Sequence, residues 1–311
     1  MPGLYKLYAQ ICLIYSVPDT SSHDNIITTL TNGLDRLAEG FPWLTGQVFN
    51  DGAWDGNTGV FKITPLDKIQ LVVKDLQHDA SAPTIDDLRQ AKYPFTMLNE
   101  NIIAPSTTIN LPGAPPGIIT ESALVFCVQA NSVKGGLMLT LVAQHNVMDM
   151  TGQDFIVNML SNACHNESFT SEEMATGNID RSNIISLVDY AYEPGPELDH
   201  QLVKPPLPPG VSVMLPRNNL RLQKSTWAYI EISARDMIQT ISEEPLGVVA
   251  AQLRTQLDPS TNDLAFNMRA LATFLSRPSD KTKTSFTATV QIPSDFMISS
   301  WSRINCYRSG L

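Results

Sequence analysis

Apolar and polar residues follow two periods along this chain, and the switches between them mark its elements. Residues 8–17 are rich in Ile, Leu, Tyr and Val and predict a buried strand. Ser21, Ser22 and Asp24 offer caps for a following helix. Its Ile26, Ile27, Leu30, Leu34 and Leu37 form one apolar stripe, and Gly40 is its stop. The turn Phe41-Pro-Trp-Leu-Thr-Gly46 leads into a short strand at 47–49, and 61–63 and 70–73 are further sheet segments. Asn50-Asp51-Gly52 and Asp55-Gly56-Asn57 carry turn chemistry. A short helix is predicted over 84–90, then a long loop with sparse structure over 94–119, where Pro, Gly and Asn recur.

The most continuous apolar pattern comes next. Residues 123–129 predict a strand, and Asn131-Ser-Val-Lys-Gly-Gly136 predicts a hairpin into a second strand over 137–143. Thr140 is the one polar residue in that second run, which marks it as largely buried. Thr151 with Asp154 makes a capping-box pattern opening a helix, whose Phe155, Ile156, Met159 and Leu160 recur at helical spacing. Thr170 with Glu173 repeats the capping pattern.

Seven prolines then fall between Pro194 and Pro216, including Lys204-Pro-Pro-Leu-Pro-Pro-Gly210. Such a segment fits neither a helix interior nor a central strand, so it predicts a crossover between domains 1–204 and 205–311. The second of these is thinner in pattern. A half-buried strand is expected over 226–232, a helix capped by Ser233 and Asp236, a helix over 268–275 and a strand over 285–291.

Charge and cysteine usage narrow the function classes. A formal net charge of -10 with only 21 Lys+Arg argues against nucleic acid or an anionic membrane as the main partner. No stretch reaches transmembrane length, and Met-Pro-Gly-Leu-Tyr-Lys lacks a signal-peptide pattern, so the expected location is cytoplasmic. Cys12, Cys127, Cys164 and Cys306 lie far apart, which predicts free thiols in a reducing compartment. No histidine spacing indicates a zinc site, and the glycines at 135–136 match neither a P-loop nor a dinucleotide fingerprint.

The candidate chemistry centres on His145, at the end of a predicted strand just before a turn into a helix. An imidazole there can take a proton from a hydroxyl and return it to a leaving group, as acyl transfer requires. The spacing of His145 and Asp149 arises readily by chance, and a structural histidine stays open on these residues alone. Asp149 either faces the ring or turns away to hold the loop by pairing with an arginine. His78, His165 and His200 sit in polar or turn-like contexts, and His23 at a helix start. Ser299 and Ser300 can bond a ligand or merely cap, and Trp43, Trp227 and Trp301 are simplest as core residues.

Gln144-His145-Asn-Val-Met-Asp149-Met-Thr-Gly-Gln153 resembles the HxxxD segment of the plant and fungal BAHD acyltransferases, particularly the fungal branch containing trichothecene 3-O-acetyltransferase. Phe41-Pro-Trp-Leu-Thr-Gly46 resembles that family's early FPWLAG turn. Val125-Phe-Cys-Val-Gln-Ala-Asn131 with Gly135-Gly136 resembles the strand pair before its histidine. Gly177-Asn-Ile-Asp-Arg-Ser-Asn183 and Gly195-Pro-Glu-Leu-Asp-His200 resemble the fungal approach to the crossover.

The resemblance implies an α/β, chloramphenicol-acetyltransferase-like two-domain fold with an incomplete second domain. It implies acetyl-CoA or another acyl-CoA as co-substrate, with no permanently bound cofactor and no metal, and a small terpenoid-like alcohol as acceptor. His145 would be the general base, Asp149 a structural residue paired with an arginine, and Ser299 and Ser300 candidates for cofactor contact. A monomer suffices for such chemistry.

Two departures from the family pattern stand out. After Ile241 the chain passes almost directly to Glu243-Glu-Pro-Leu-Gly247, skipping a middle part of the second domain. It then ends with Trp301-Ser-Arg-Ile-Asn-Cys-Tyr307 and Arg308-Ser-Gly-Leu311, where the family continues into a DFGWG-like motif. A degenerate, inactive relative or a small-molecule-binding protein is therefore the alternative expectation.

Overall fold

The hairpin predicted around Gly135 forms the middle of the fold. The computed structural model describes residues 7–17, 23–52, 54, 56–106, 123–181, 184–198, 264–278, 280–281 and 284. They divide into two compact units. One takes the described residues up to Asp180 apart from 56–58, and the other takes Gly56–Thr58 and the described residues from Arg181 onward. The crossover expected near residue 205, the strands at 226–232 and 285–291, the helix after Ser233, Trp227, Trp301 and His200 all lie outside the described residues.

In the first unit a four-stranded sheet runs in the order β1 (Tyr8–Ser16), β6 (Gly136–Gln144), β5 (Phe126–Val133), β4 (Gln70–Asp75). β6 is antiparallel to both its neighbours, while β4 runs parallel to β5. β2 (Gln47–Asp51) and β3 (Val60–Thr64) pair separately as an antiparallel ribbon. α1 (His23–Gly40) and α4 (Met150–Cys164) pack on one face of the large sheet. The short helices α2 (Ile85–Gln90) and α3 (Glu100–Ile103) lie on the other. α5 (Ser171–Gly177) follows, opened by the Thr170–Glu173 capping box that the sequence predicts.

Burial on both faces explains why the β6 pattern is nearly continuous rather than alternating. Leu137, Leu139, Leu141 and Ala143 join the core with Leu30, Leu34 and Leu37 of α1 and Ile156, Met159 and Leu160 of α4. Met138 packs with Ile85, Leu88 and Ile103, and Val142 with Tyr8, Ala104, Leu124 and Cys127. Arg36 of α1 donates to the carbonyls of Ala163 and Glu167 at 2.7 and 2.6 Å, satisfying the C-terminal end of α4.

Two segments far apart in sequence meet here. The Trp43 indole donates to the Gly177 carbonyl at 3.0 Å, and the Asn178 amide donates to the Gly40 carbonyl at 2.9 Å. Gly177 lies so close to Phe41 that a Cβ at this position would stand 2.3 Å from the ring. Phe41 is wholly buried, with Phe155 and Phe169 around it. Trp43 itself is half-buried and packs against the main core, as expected, with its ring edge making this hydrogen bond.

Two local expectations are corrected. The strand placed at 123–129 is β5 at Phe126–Val133, and the hairpin turn is only Lys134 and Gly135, the latter at φ 86°. Asn131 opens the segment expected to form the hairpin connection. It is instead fully buried in β5, with its amide donating to the Ile103 and Met138 carbonyls. Asn50 and Asp51 belong to β2, leaving Gly52 (φ 71°) as the turn residue. The loop with sparse structure expected over 94–119 stands, its one short helix α3 among the described residues being tied to the sheet where Gln129 and Lys74 both donate to the Ile102 carbonyl at 2.8 Å.

In the second unit α6 (Leu264–Ser276) contains the helix expected over 268–275. It buries Ala270 and Leu271 against Leu198. Arg269 and Thr273 hold the segment before it, donating to the Ser186 carbonyl at 2.9 Å and accepting from the Val188 N–H at 2.8 Å.

Candidate active site

Whatever follows β6 is delivered at a fixed place, because that strand is paired on both sides and buried on both faces. His145 is the first residue past it. Its main-chain N–H donates to the Leu7 carbonyl at 2.8 Å, one step beyond the Tyr8–Gln144 pair of the β1–β6 ladder. Gln144, wholly buried, donates its N–H to the Val125 carbonyl at 3.0 Å. The chain then makes one tight turn, with the Val147 and Met148 N–H groups returning to the Gln144 carbonyl at 2.9 and 3.1 Å. His145 is partly buried, and its Nδ1 is out of solvent with no hydrogen-bond partner among the described residues.

Asp149 stands at the end of that turn. Its carboxylate accepts the Gly152 N–H at 2.9 Å and caps α4, so the helix opens at Met150. The capping box expected at Thr151 and Asp154 is therefore not the start of the helix. Asp149 caps two residues earlier because its extended backbone (φ -85°, ψ -173°) lets the side chain fold back over the first turn. Asp149 is exposed, and among the described residues no arginine forms an ion pair with it. Ser299 and Ser300 lie outside the described residues.

Gln153 is a site residue that pattern reading passes over. It lies one turn into α4, is only 1% exposed, and donates from Nε2 to the Ala9 carbonyl at 2.8 Å. Its N–H closes the first helical bond onto the Asp149 carbonyl at 2.9 Å. The available signal was a long amide between Gly152 and the apolar residues of a helix that faces the core.

The other described histidines are His23, His78 and His165, and His200 lies outside the described residues. His78 and His165 are exposed, and His23 opens α1 with Nδ1 3.3 Å from the Gln77 amide nitrogen. Cys12, Cys127 and Cys164 are free thiols. Burial pushes their pKa values up to about 11, about 12 and about 11, so each is a neutral thiol rather than a nucleophile at physiological pH. Among the described residues, the imidazole at the sheet end is the candidate for proton transfer.

Residues 7–164 match the family described as trichothecene 3-O-acetyltransferase-like N-terminal domain. A trichothecene 3-O-acetyltransferase of Saccharomyces cerevisiae is 38% identical over 98% of this chain and 80% of its own length. Trichothecene 3-O-acetyltransferase TRI101 of Fusarium sporotrichioides is 35% identical over 98% of this chain and 81% of its own. The crystal structure of F. graminearum TRI101 complexed with coenzyme A and deoxynivalenol superposes with a TM-score of 0.80 at 34% identity, covering 98% of this chain and 82% of that one. That of F. sporotrichioides TRI101 with coenzyme A and T-2 gives 0.81 at 34% identity, covering 99% and 83%. The match to the yeast protein runs over 390 aligned positions against a chain of 311, so at least 79 positions have no counterpart here.

Proposed function

The chain belongs to the trichothecene 3-O-acetyltransferase-like family, and from that membership we propose how its residues carry the reaction. The fold is the α/β, chloramphenicol-acetyltransferase-like one, and the function is acyl-CoA-dependent O-acetylation of a terpenoid-like metabolite. Acetyl-CoA is a co-substrate that leaves as free coenzyme, not a resident cofactor.

His145 is the general base. The acceptor's hydroxyl oxygen attacks the acetyl carbonyl while the imidazole takes its proton. The tetrahedral oxyanion then collapses, the carbon–sulfur bond breaks, and the imidazolium returns the proton to the coenzyme thiolate. One observation carries the assignment: the histidine is anchored by its main chain at the last rung of a doubly paired, doubly buried strand. A base held this way loses little orientational freedom when substrate arrives. Asp149 is structural, capping the helix that closes the turn. Ser299 and Ser300 are the candidates for coenzyme contact. The free thiols fit a cytoplasmic site of action, and the chain acts as a monomer on a small alcohol.

The test is calorimetry with acetyl-CoA on the full chain and on His145→Ala, followed by acetyl transfer read by mass spectrometry. Deoxynivalenol and T-2 are the first acceptors, since solved relatives are complexed with them. The expected result is micromolar binding to both proteins and transfer by the unsubstituted chain alone. A second reading is favoured by the 79 or more absent positions: a relative that keeps the histidine strand and has lost turnover. A folded chain that binds no acetyl-CoA would establish that second reading.

A further inference from the structure

An amide buried in a core-facing helix is costly, because each polar atom without a partner gives up its hydration. Gln153 carries that cost. It is 1% exposed, and among the described residues its buried Oε1 has no hydrogen-bond partner, whereas an apolar residue of equal size would fill the same space more cheaply. What the amide does make is the bond from Nε2 to the Ala9 carbonyl at 2.8 Å. Ala9 lies two residues along β1 from Leu7, whose carbonyl holds the His145 N–H.

The turn bearing the imidazole is thus fastened to β1 at both ends. Upstream, the His145 main chain continues the ladder to Leu7. Downstream, Gln153 ties the first turn of α4 to Ala9, and its own N–H is bonded to the Asp149 carbonyl. Between these fixed points lie only the turn and the cap.

On the reading of His145 as the base, we propose that Gln153 is a positioning residue for it. Its side chain holds the helix end of the turn in register with β1, so that the imidazole is presented at one place and angle. Gln153 itself touches neither substrate nor coenzyme in this scheme.

Gln153→Met keeps the length and packing of the side chain and removes the donor. The full chain and this variant are compared in three measurements: kcat and the acetyl-CoA KM of acetyl transfer, melting temperature, and main-chain hydrogen exchange at His145. The expected result is a kcat lower by about 10- to 100-fold with KM nearly unchanged, the cost of a displaced catalytic group. Exchange at the His145 N–H should accelerate about tenfold or more, as its bond to Leu7 opens more often.

A lower melting temperature with kcat per folded molecule unchanged would make Gln153 a packing residue and overturn the proposal. Gln153→Glu supplies a second check. Its carboxyl can donate to the Ala9 carbonyl only when protonated, so its kcat relative to Gln153→Met should rise as pH falls. A ratio flat with pH would overturn the donor role. Absence of acetyl transfer by the unsubstituted chain defeats the functional reading instead. Exchange at His145 then decides alone: acceleration in Gln153→Met supports the clamp, and an unchanged rate removes it.

Discussion

His145 has its position from bonds that its own side chain does not make. The main-chain bond to Leu7 fixes where the residue sits and leaves the ring available for chemistry. Replacing it with alanine should therefore lower acetyl transfer by about 10²–10⁴-fold, the usual worth of a general base, while the melting temperature stays within a degree or two. Equal turnover in the variant would remove the assignment. The thiols make a different residue-scale prediction. Cys12 and Cys127 are held protonated by burial, up to about 11 and about 12 against an ordinary 9.0. Above pH 9 the unfolded chain releases these protons and the folded chain keeps them. Stability is thus fully present below pH 9 and is lost as pH rises toward 12. Denaturant midpoints at pH 8 and pH 10 check this, and alkylation of the folded chain at pH 8 should spare both residues.

At the scale of elements, the HxxxD motif is a strand end, a turn and a helix cap in succession. Asp149→Ala should cost about 1 kcal/mol through the lost cap, whereas Asp149→Ser, which keeps an accepting oxygen, should retain most of it. Thermal unfolding separates the two, and equal losses would mean that the carboxylate's charge matters more than its cap. Gly177→Ala should destabilise by about 1–3 kcal/mol, since the added methyl meets the fully buried Phe41 ring.

The sequence made some of these elements plain and concealed others. The α1 stripe, the hairpin and the Thr170 capping box were legible because apolar spacing and capping residues report local structure. Asn131 and Gln129 misled the strand ends, because their amides are paired by α3, which the chain brings in from residues 100–103. Asp149 and Gln153 were visible as letters, but their bonds to Gly152 and Ala9 depend on backbone direction and on a strand over a hundred residues away.

For the whole molecule, the family and its chemistry were readable from dispersed motifs, while the at least 79 absent positions became countable only beside a relative. If the chain acts as a monomer, sedimentation equilibrium at micromolar concentration should return 34.2 kDa; a doubled mass would overturn the monomer reading. The strand order has one more consequence, and it concerns time. β1 is made first, yet its partner in the sheet is β6, with Tyr8 opposite Gln144. At roughly 5–20 residues per second, β1 leaves the ribosome on the order of ten seconds before β6 exists to receive it. Until then an apolar strand has an open edge and no sheet. Synthesis is therefore an interval in which that edge stands uncovered, and the main-chain bond from His145 to Leu7 can form only when the wait is over.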